Sequence, residues 1–171
     1  RLYPLNILKD YDPDDVLIHV EGEKDFLSLI SQGYNAVTST TGARSIPKDL
    51  SPLIKFKHIK ILLDNDAPGI EGSEKLAMAL KQQFPEMKVE VVSWPDRFPN
   101  KFDITDFFKD EDPAEFDELL SSCQETQINS IDEKVYAPTI NPLSIEKHMD
   151  FWDVILDSRE KPIEMIEGFL P

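Results

Sequence analysis

Cysteine is almost missing from this chain: Cys123 stands alone among 171 residues. One thiol builds neither a disulfide framework nor a cysteine-based zinc site. A reducing compartment is expected, and because residues 1–10 lack the apolar core of a signal peptide, a cytoplasmic one. No apolar run approaches the ~20 residues of a membrane span, so no membrane partner is expected. Positive charge is also scarce. Lys and Arg number 18 against 33 Asp and Glu, a formal charge of −15. Nucleic-acid contacts need Lys and Arg on phosphate, so this balance at first argues against such a partner. What is plentiful is apolar: 40% of residues are hydrophobic, enough to bury one domain of ordinary size.

The charge is unevenly placed. Residues 1–102 carry 15 acids and 13 bases, whereas residues 103–133 carry 11 acids and the single base Lys109. Two thirds of the excess therefore lies in one short stretch that reads as solvated surface. Between positions 43 and 60, Arg44, Lys48, Lys55, Lys57 and Lys60 face only Asp49. This basic run is expected to be a solvated face, with a surface for nucleic acid as the sharper alternative.

Short apolar runs alternate with helical periodicity. Residues 16–20 and 58–63 read as buried parallel strands, 34–38 and 88–92 as two more. Residues 23–32 read as a helix closed by Gly33. Helices are also expected over 47–56, 73–84 (after Gly69 or Gly72), 104–108 and 113–123. This alternation predicts an α/β fold with a mostly parallel sheet flanked by helices on both faces. The domain is expected over residues 1–124, with its core at 16–122. Residues 125–143 read as a linker, and 144–171 as a helical tail whose apolar end suggests a segment of a longer chain.

In such a sheet, ligands sit beyond the carboxyl ends of the strands. Glu21 directly follows the first expected strand, in Glu21-Gly22-Glu23-Lys24-Asp25. Asp64 and Asp66 directly follow the third, in Asp64-Asn65-Asp66-Ala67-Pro68-Gly69. Each acid alone is more often a turn former or helix cap. Together, on neighbouring strands, they would repel unless a hard divalent cation such as Mg²⁺ lay between them. Gly22 and Gly69 would allow close backbone approach or a positive φ. Asp103 follows the fourth strand, and a helix cap and a metal ligand are equally good readings of it.

These motifs, in this order, resemble the TOPRIM domain shared by primases, topoisomerases and certain nucleases. The likeness is closer to phage- and plasmid-type primase–helicases, through Thr41-Gly42-Ala43 and Asp103-Ile104-Thr105-Asp106, and covers residues 16–122. The resemblance implies a TOPRIM-like (Rossmann-like) fold. It implies Mg²⁺ or Mn²⁺ held by Glu21, Asp64, Asp66 and Asp103, with Glu21 also a candidate general acid/base. Glu21, Asp64 and Asp66 would be the catalytic set. Lys24, Arg44 and Lys48 would contact nucleotide or nucleic acid, and Gly22, Gly42 and Gly69 would form structural turns. The implied partners in the full-length protein are nucleoside triphosphates and a single-stranded DNA template. An N-terminal template-binding module and a C-terminal helicase/ATPase domain are further expected in the parent chain. Neither zinc-binding cysteines nor a Walker A motif occurs within these residues.

Competing functions are a TOPRIM nuclease working on the same metal site, a non-catalytic replication or repair module, and a phospho-acceptor receiver domain. The receiver fits poorly, because its single acceptor Asp and late Lys-Pro pair are missing. His19 is expected to be packed rather than catalytic, Cys123 inert, and Trp94 and Trp152 packed rather than stacked on bases.

Overall fold

A computed structural model describes residues 1–39 and 45–125. All of these lie in a unit spanning Arg1–Asn129, and the second unit, Ser130–Pro171, falls outside the described residues. So do the expected linker beyond residue 125, the expected helical tail and Trp152.

Six strands form one sheet in the order β1-β3-β2-β4-β5-β6. They are β1 (Leu2–Tyr3), β2 (Leu17–Val20), β3 (Ala36–Ser39), β4 (His58–Ile61), β5 (Lys88–Val92) and β6 (Cys123–Glu125). The four central strands are mutually parallel, and both edges pair antiparallel. Among the described residues five α-helices accompany them: α1 (Leu5–Leu8), α2 (Glu23–Ser31), α3 (Ala67–Gln83), α4 (Ile104–Asp110) and α5 (Phe116–Ser121).

Alternate strand residues feed two core layers, as the two-residue pleat requires. Leu17, Ile59, Ile61 and Val89 pack with Leu76, Ala77 and Leu80 of α3 on one face. Ile18, Val20, Leu62 and Val92 pack on the other with Phe26 and Leu29 of α2, Phe107 of α4 and Phe116 of α5. The chain leaves β2 through α2 toward β3 on one side, and leaves β4 through α3 toward β5 on the other. Right-handed crossovers running in opposite directions put these two helices on opposite faces. They also open a crevice between the carboxyl ends of β2 and β4, the topological switch point where such folds bind ligands.

Several expected elements differ. The helix expected over 47–56 is only a 3₁₀ turn at Ser51–Leu53. Pro47 and Pro52 lack amide protons, and Asp49 Oδ1 takes the Ser51 amide (2.9 Å) and hydroxyl (2.6 Å), which diverts the backbone into a local turn. The helix expected from residue 73 begins at Ala67, because Asp66 caps it and Pro68 occupies its first turn. The expected helix 113–123 is a 3₁₀ turn at Pro113–Glu115 followed by α5, and Cys123 opens an edge strand instead.

The basic run is not a free stripe. Lys57 pairs with Asp14, Lys55 donates to the Tyr11 carbonyl (2.7 Å), and Lys60 is drawn into a polar cluster between β4, β5 and α5. There Glu90, almost enclosed, receives Lys60 (3.0 Å), Lys88 (2.7 Å) and His58. Lys60 also donates to the Leu120 carbonyl (2.6 Å) and lies 3.2 Å from the Cys123 thiol. Burial alone would raise the Glu90 pKa, but hydrogen bonds from Lys88, Lys60 and His58 bring it down to about 2. Lys60 and Lys88 are thereby engaged by Glu90 within the sheet, on β4 and β5.

Candidate metal centre

Glu21 leaves the end of β2, and its backbone carbonyl is held by the Thr38 hydroxyl from β3 at 2.8 Å. Asp64 leaves the end of β4. Its amide lies 3.5 Å from Glu21 Oε2, so the two strand ends flanking the switch point carry the two acids side by side. Asp66 and Asp103 follow in adjoining loops, and each caps a helix. Asp66 Oδ1 accepts from the Gly69 amide (2.8 Å), and Asp103 Oδ1 accepts from the Asp106 amide (2.7 Å). Capping occupies one oxygen of each carboxylate, so the cap and ligand readings of these acids are compatible.

The electrostatics reflect this crowding. Burial raises the Asp64 pKa, and the nearby charges of Glu21, Asp25, Asp103 and Asp66 raise it further, to about 7. Among the described residues, no three His, Cys, Asp or Glu side chains are disposed to close on one ion. The donor set nonetheless fits a hard cation. It is all oxygen, it is anionic, and its most perturbed member is held up by burial and by neighbouring negative charge, both of which a divalent ion would offset. Mg²⁺ is commonly held by one or two direct carboxylates with water filling the remaining positions, so a loose acid cluster suffices. Glu21, Asp64, Asp66 and Asp103 are the residues that would hold it.

Asp25 was visible in the sequence tract but carries a different task. It is buried on the first turn of α2, and its Oδ1 accepts from the Thr105 amide (3.2 Å) and hydroxyl (3.0 Å). Thr105 in turn meets Ser28 of α2 at 3.2 Å. Asp25 thereby pins the first turn of α4, the helix that Asp103 caps. Burial, then the Asp103 charge, raise the Asp25 pKa, against hydrogen bonds from Thr105 and Gly22 that lower it.

The two glycines behave differently. A Cβ at Gly69 would lie 2.2 Å from the Asp64 carbonyl oxygen, whereas one at Gly22 would make an ordinary 3.5 Å contact with Asp25. Neither has a positive φ; among the described glycines that belongs to Gly33, at 90°. Gly69 therefore serves close approach alone. Gly42 and Arg44 lie outside the described residues. Lys24 is exposed on the first turn of α2, and Lys48 is exposed beside a separate cleft lined by Arg1, Leu5 and Asp49. His19 is packed, as expected. Both its ring nitrogens lack a hydrogen-bond partner, and burial lowers its pKa to about 4, leaving it neutral. Trp94 packs edge-on against Phe98 and Phe102, and its Nε1 donates to the Leu63 carbonyl at 2.7 Å.

Comparison with known proteins bears on the fold and the family. A DNA primase DnaG from Staphylothermus marinus is 33% identical over 73 residues, which cover 43% of this chain and 17% of that protein. Among solved structures, a DNA primase domain from Pseudomonas aeruginosa superposes with a TM-score of 0.58 at 21% identity, covering 73% of this chain and 39% of that one. The primase domains in a bacteriophage T7 assembly give 0.53 at 23% identity, covering 68% and 58%. These structural likenesses show a shared fold, and the chain spans less than a fifth of the S. marinus primase. The family model described as Toprim-like matches residues 18–108, which holds β2 to α4 with Glu21, Asp64, Asp66 and Asp103. That match takes in more than half of the sequence, and the chain belongs to the Toprim-like family.

Proposed function

We propose that this chain is the Mg²⁺- or Mn²⁺-dependent catalytic TOPRIM domain of a DNA primase or primase–helicase, acting in nucleotidyl transfer during primer synthesis. The observation that carries the reading is the pairing of Glu21 and Asp64 across the switch point, with Asp64 raised to about 7 by burial and, after it, by its acidic neighbours. A bound divalent ion supplies charge neutralisation and orientation for a transferring phosphoryl group. Asp64 and Asp66 hold it, Asp103 adds a further carboxylate, and Glu21 serves as ligand or general acid/base beside the attacking or leaving oxygen. Lys24, Arg44 and Lys48 neutralise phosphate on the nucleotide or the strand.

The nucleoside triphosphates, the single-stranded template, the N-terminal template-reading module and a C-terminal helicase/ATPase belong to the parent protein. Its place of work is the cytoplasm. The 171 residues alone bind DNA weakly, given their net charge of −15, and make little or no primer, because the template-reading module lies elsewhere in the parent protein.

The test is Asp64→Asn combined with Asp66→Asn in the full-length protein. Primer synthesis should collapse while the thermal unfolding transition is retained; unchanged primer yield would sink the assignment. Cleavage of a labelled single strand by the wild-type protein, in place of primer extension, would move the assignment to the nuclease reading.

A further inference from the structure

The loops that carry Asp64, Asp66 and Asp103 are joined by a residue with no part in the metal chemistry described above. Asn65 sits between Asp64 and Asp66. Its Nδ2 donates to the carbonyls of Phe98 (3.1 Å) and Pro99 (2.9 Å). Its backbone amide donates to the Phe102 carbonyl (2.9 Å), and its carbonyl accepts from the Lys101 amide (2.8 Å). Four hydrogen bonds therefore cross from the loop after β4 to the loop after β5. All four land on residues 98–102, directly before Asp103. Lys101 adopts φ 69°, the left-handed region that non-glycine residues disfavour, and in that conformation its amide meets Asn65.

We propose that Asn65 is a positioning residue of the metal centre, fixing Asp103 against Asp64 and Asp66; this rests on reading those acids as an ion site and deepens it. The side-chain chemistry is restrictive. A carboxamide offers two N–H donors, and the structure uses them on two successive backbone carbonyls. Aspartate, of the same shape, would set oxygens against those carbonyls and add another negative charge to a crowded cluster. A lysine or arginine would be drawn to the carboxylates instead. Asn65 supplies donors without charge, at the only position that adjoins both Asp64 and Asp66 in sequence. On the far side Asp103 is held by its own helix, which Asp25 pins through Thr105. Asp103 is thus braced from β4 by Asn65 and from β2 by Asp25. Without the Asn65 brace, residues 98–102 keep two backbone hydrogen bonds and lose two, and the loop gains freedom to carry Asp103 away.

The experiment is Mn²⁺ binding by calorimetry on the 171-residue chain, comparing wild type, Asn65→Ala, Asp103→Asn and the double variant. Leu80→Ala, a core change at the far end of α3, controls for lost stability. Hydrogen exchange at the Lys101 amide in ion-free protein reports the brace directly. We expect exchange at Lys101 about tenfold faster in Asn65→Ala. Mn²⁺ should bind about tenfold more weakly to Asn65→Ala and to Asp103→Asn, and the double variant no more weakly than Asp103→Asn alone, because the effect passes through Asp103. Leu80→Ala should lower the unfolding midpoint and keep the affinity. Multiplied losses in the double variant, or an equal loss in Leu80→Ala, would overturn the proposal. Wild-type binding with an unaltered Asn65→Ala overturns this proposal alone, whereas no binding by wild type at millimolar Mn²⁺ overturns the ion site itself and the proposal with it. If Asn65→Ala does not fold, Asn65→Ser, which keeps a smaller donor, carries the same comparison.

Discussion

A side chain at Gly69 would press into Asp64: its Cβ would lie 2.2 Å from the Asp64 carbonyl oxygen and 3.1 Å from the Asp64 amide nitrogen. The first turn of α3 is thereby packed directly on the backbone that presents the acid. Backbone cannot swing aside as a flexible side chain can, so the loop itself must move. Gly69→Ala is expected to lower stability by ~2–3 kcal/mol, the upper part of the range of about 1–3 kcal/mol for overpacking a closed site. Gly22→Ala, which meets only ordinary contact, should stay within ~1 kcal/mol. Urea denaturation of both variants checks the contrast, and equal losses would contradict it.

Asp64 gives the protein a pH dependence of definite sign. Its pKa rises from 3.8 in the unfolded chain to about 7 in the folded one. Below about pH 4 both states are protonated and the group is neutral to folding. As pH climbs from 4 to 7 only the unfolded chain releases its proton, so ion-free stability falls across that window. Asp64→Asn should flatten this part of the curve. Because an ion needs the ionised carboxylate, Mg²⁺ affinity should increase from pH 5.5 to 8, with protons released on binding. Calorimetry in buffers of different ionisation heat would detect the release; an affinity independent of pH would count against Asp64 as ligand.

Glu90 works in the opposite direction. Its folded pKa, about 2, lies below the 4.5 of the unfolded chain. Its stabilisation is complete above about pH 4.5 and is lost as pH falls toward 2. Glu90→Gln leaves Lys60 nearly buried without its counter-charge, and should cost ~3 kcal/mol at pH 7. The same variant should cost little near pH 2. Thermal unfolding at the two pH values separates this from a simple packing defect.

Thr105→Val removes one of the two hydrogen bonds that Asp25 receives from Thr105 while preserving shape. A buried acceptor losing one partner costs ~1–2 kcal/mol. The expected signature beyond stability is faster amide exchange in the first turn of α4. Unchanged exchange there would mean that the Asp103 cap, the remaining backbone hydrogen bond to Asp25 and the apolar contacts hold α4 without the hydroxyl.

The central sheet was legible because residues 16–20 and 58–63 are short, mostly apolar and rich in Val, Ile and Leu, with helical periodicity between them, which suits strands covered on both faces. The edge strands were not. Leu2 and Tyr3 are too few to show a period, and Cys123 to Glu125 is strand because β5 offers a partner, not because those residues favour it. The start of α3 was hidden by treating Gly69 and Gly72 as breaks, although Asp66 with Pro68 is a sound start signal. The acids were readable because each directly follows a strand or its loop. Asn65 was not, since its role depends on carbonyls 33 and 34 positions further along the chain. The buried fate of Lys60 was equally out of reach, as a basic run shows nothing of which member a sheet will enclose.

The switch point also bears on how this molecule assembles. β2 and β4 lie side by side, yet the whole of α2 and β3 separates them in the chain. No local segment can therefore rehearse the acid cluster, and closing the sheet drives carboxylates together rather than apart. Their convergence is expected late, after the folding barrier. Ions added during refolding should then leave the folding rate almost unchanged and slow unfolding instead. The cluster would act as a latch on the finished domain, closed by the ion, and not as a seed for it.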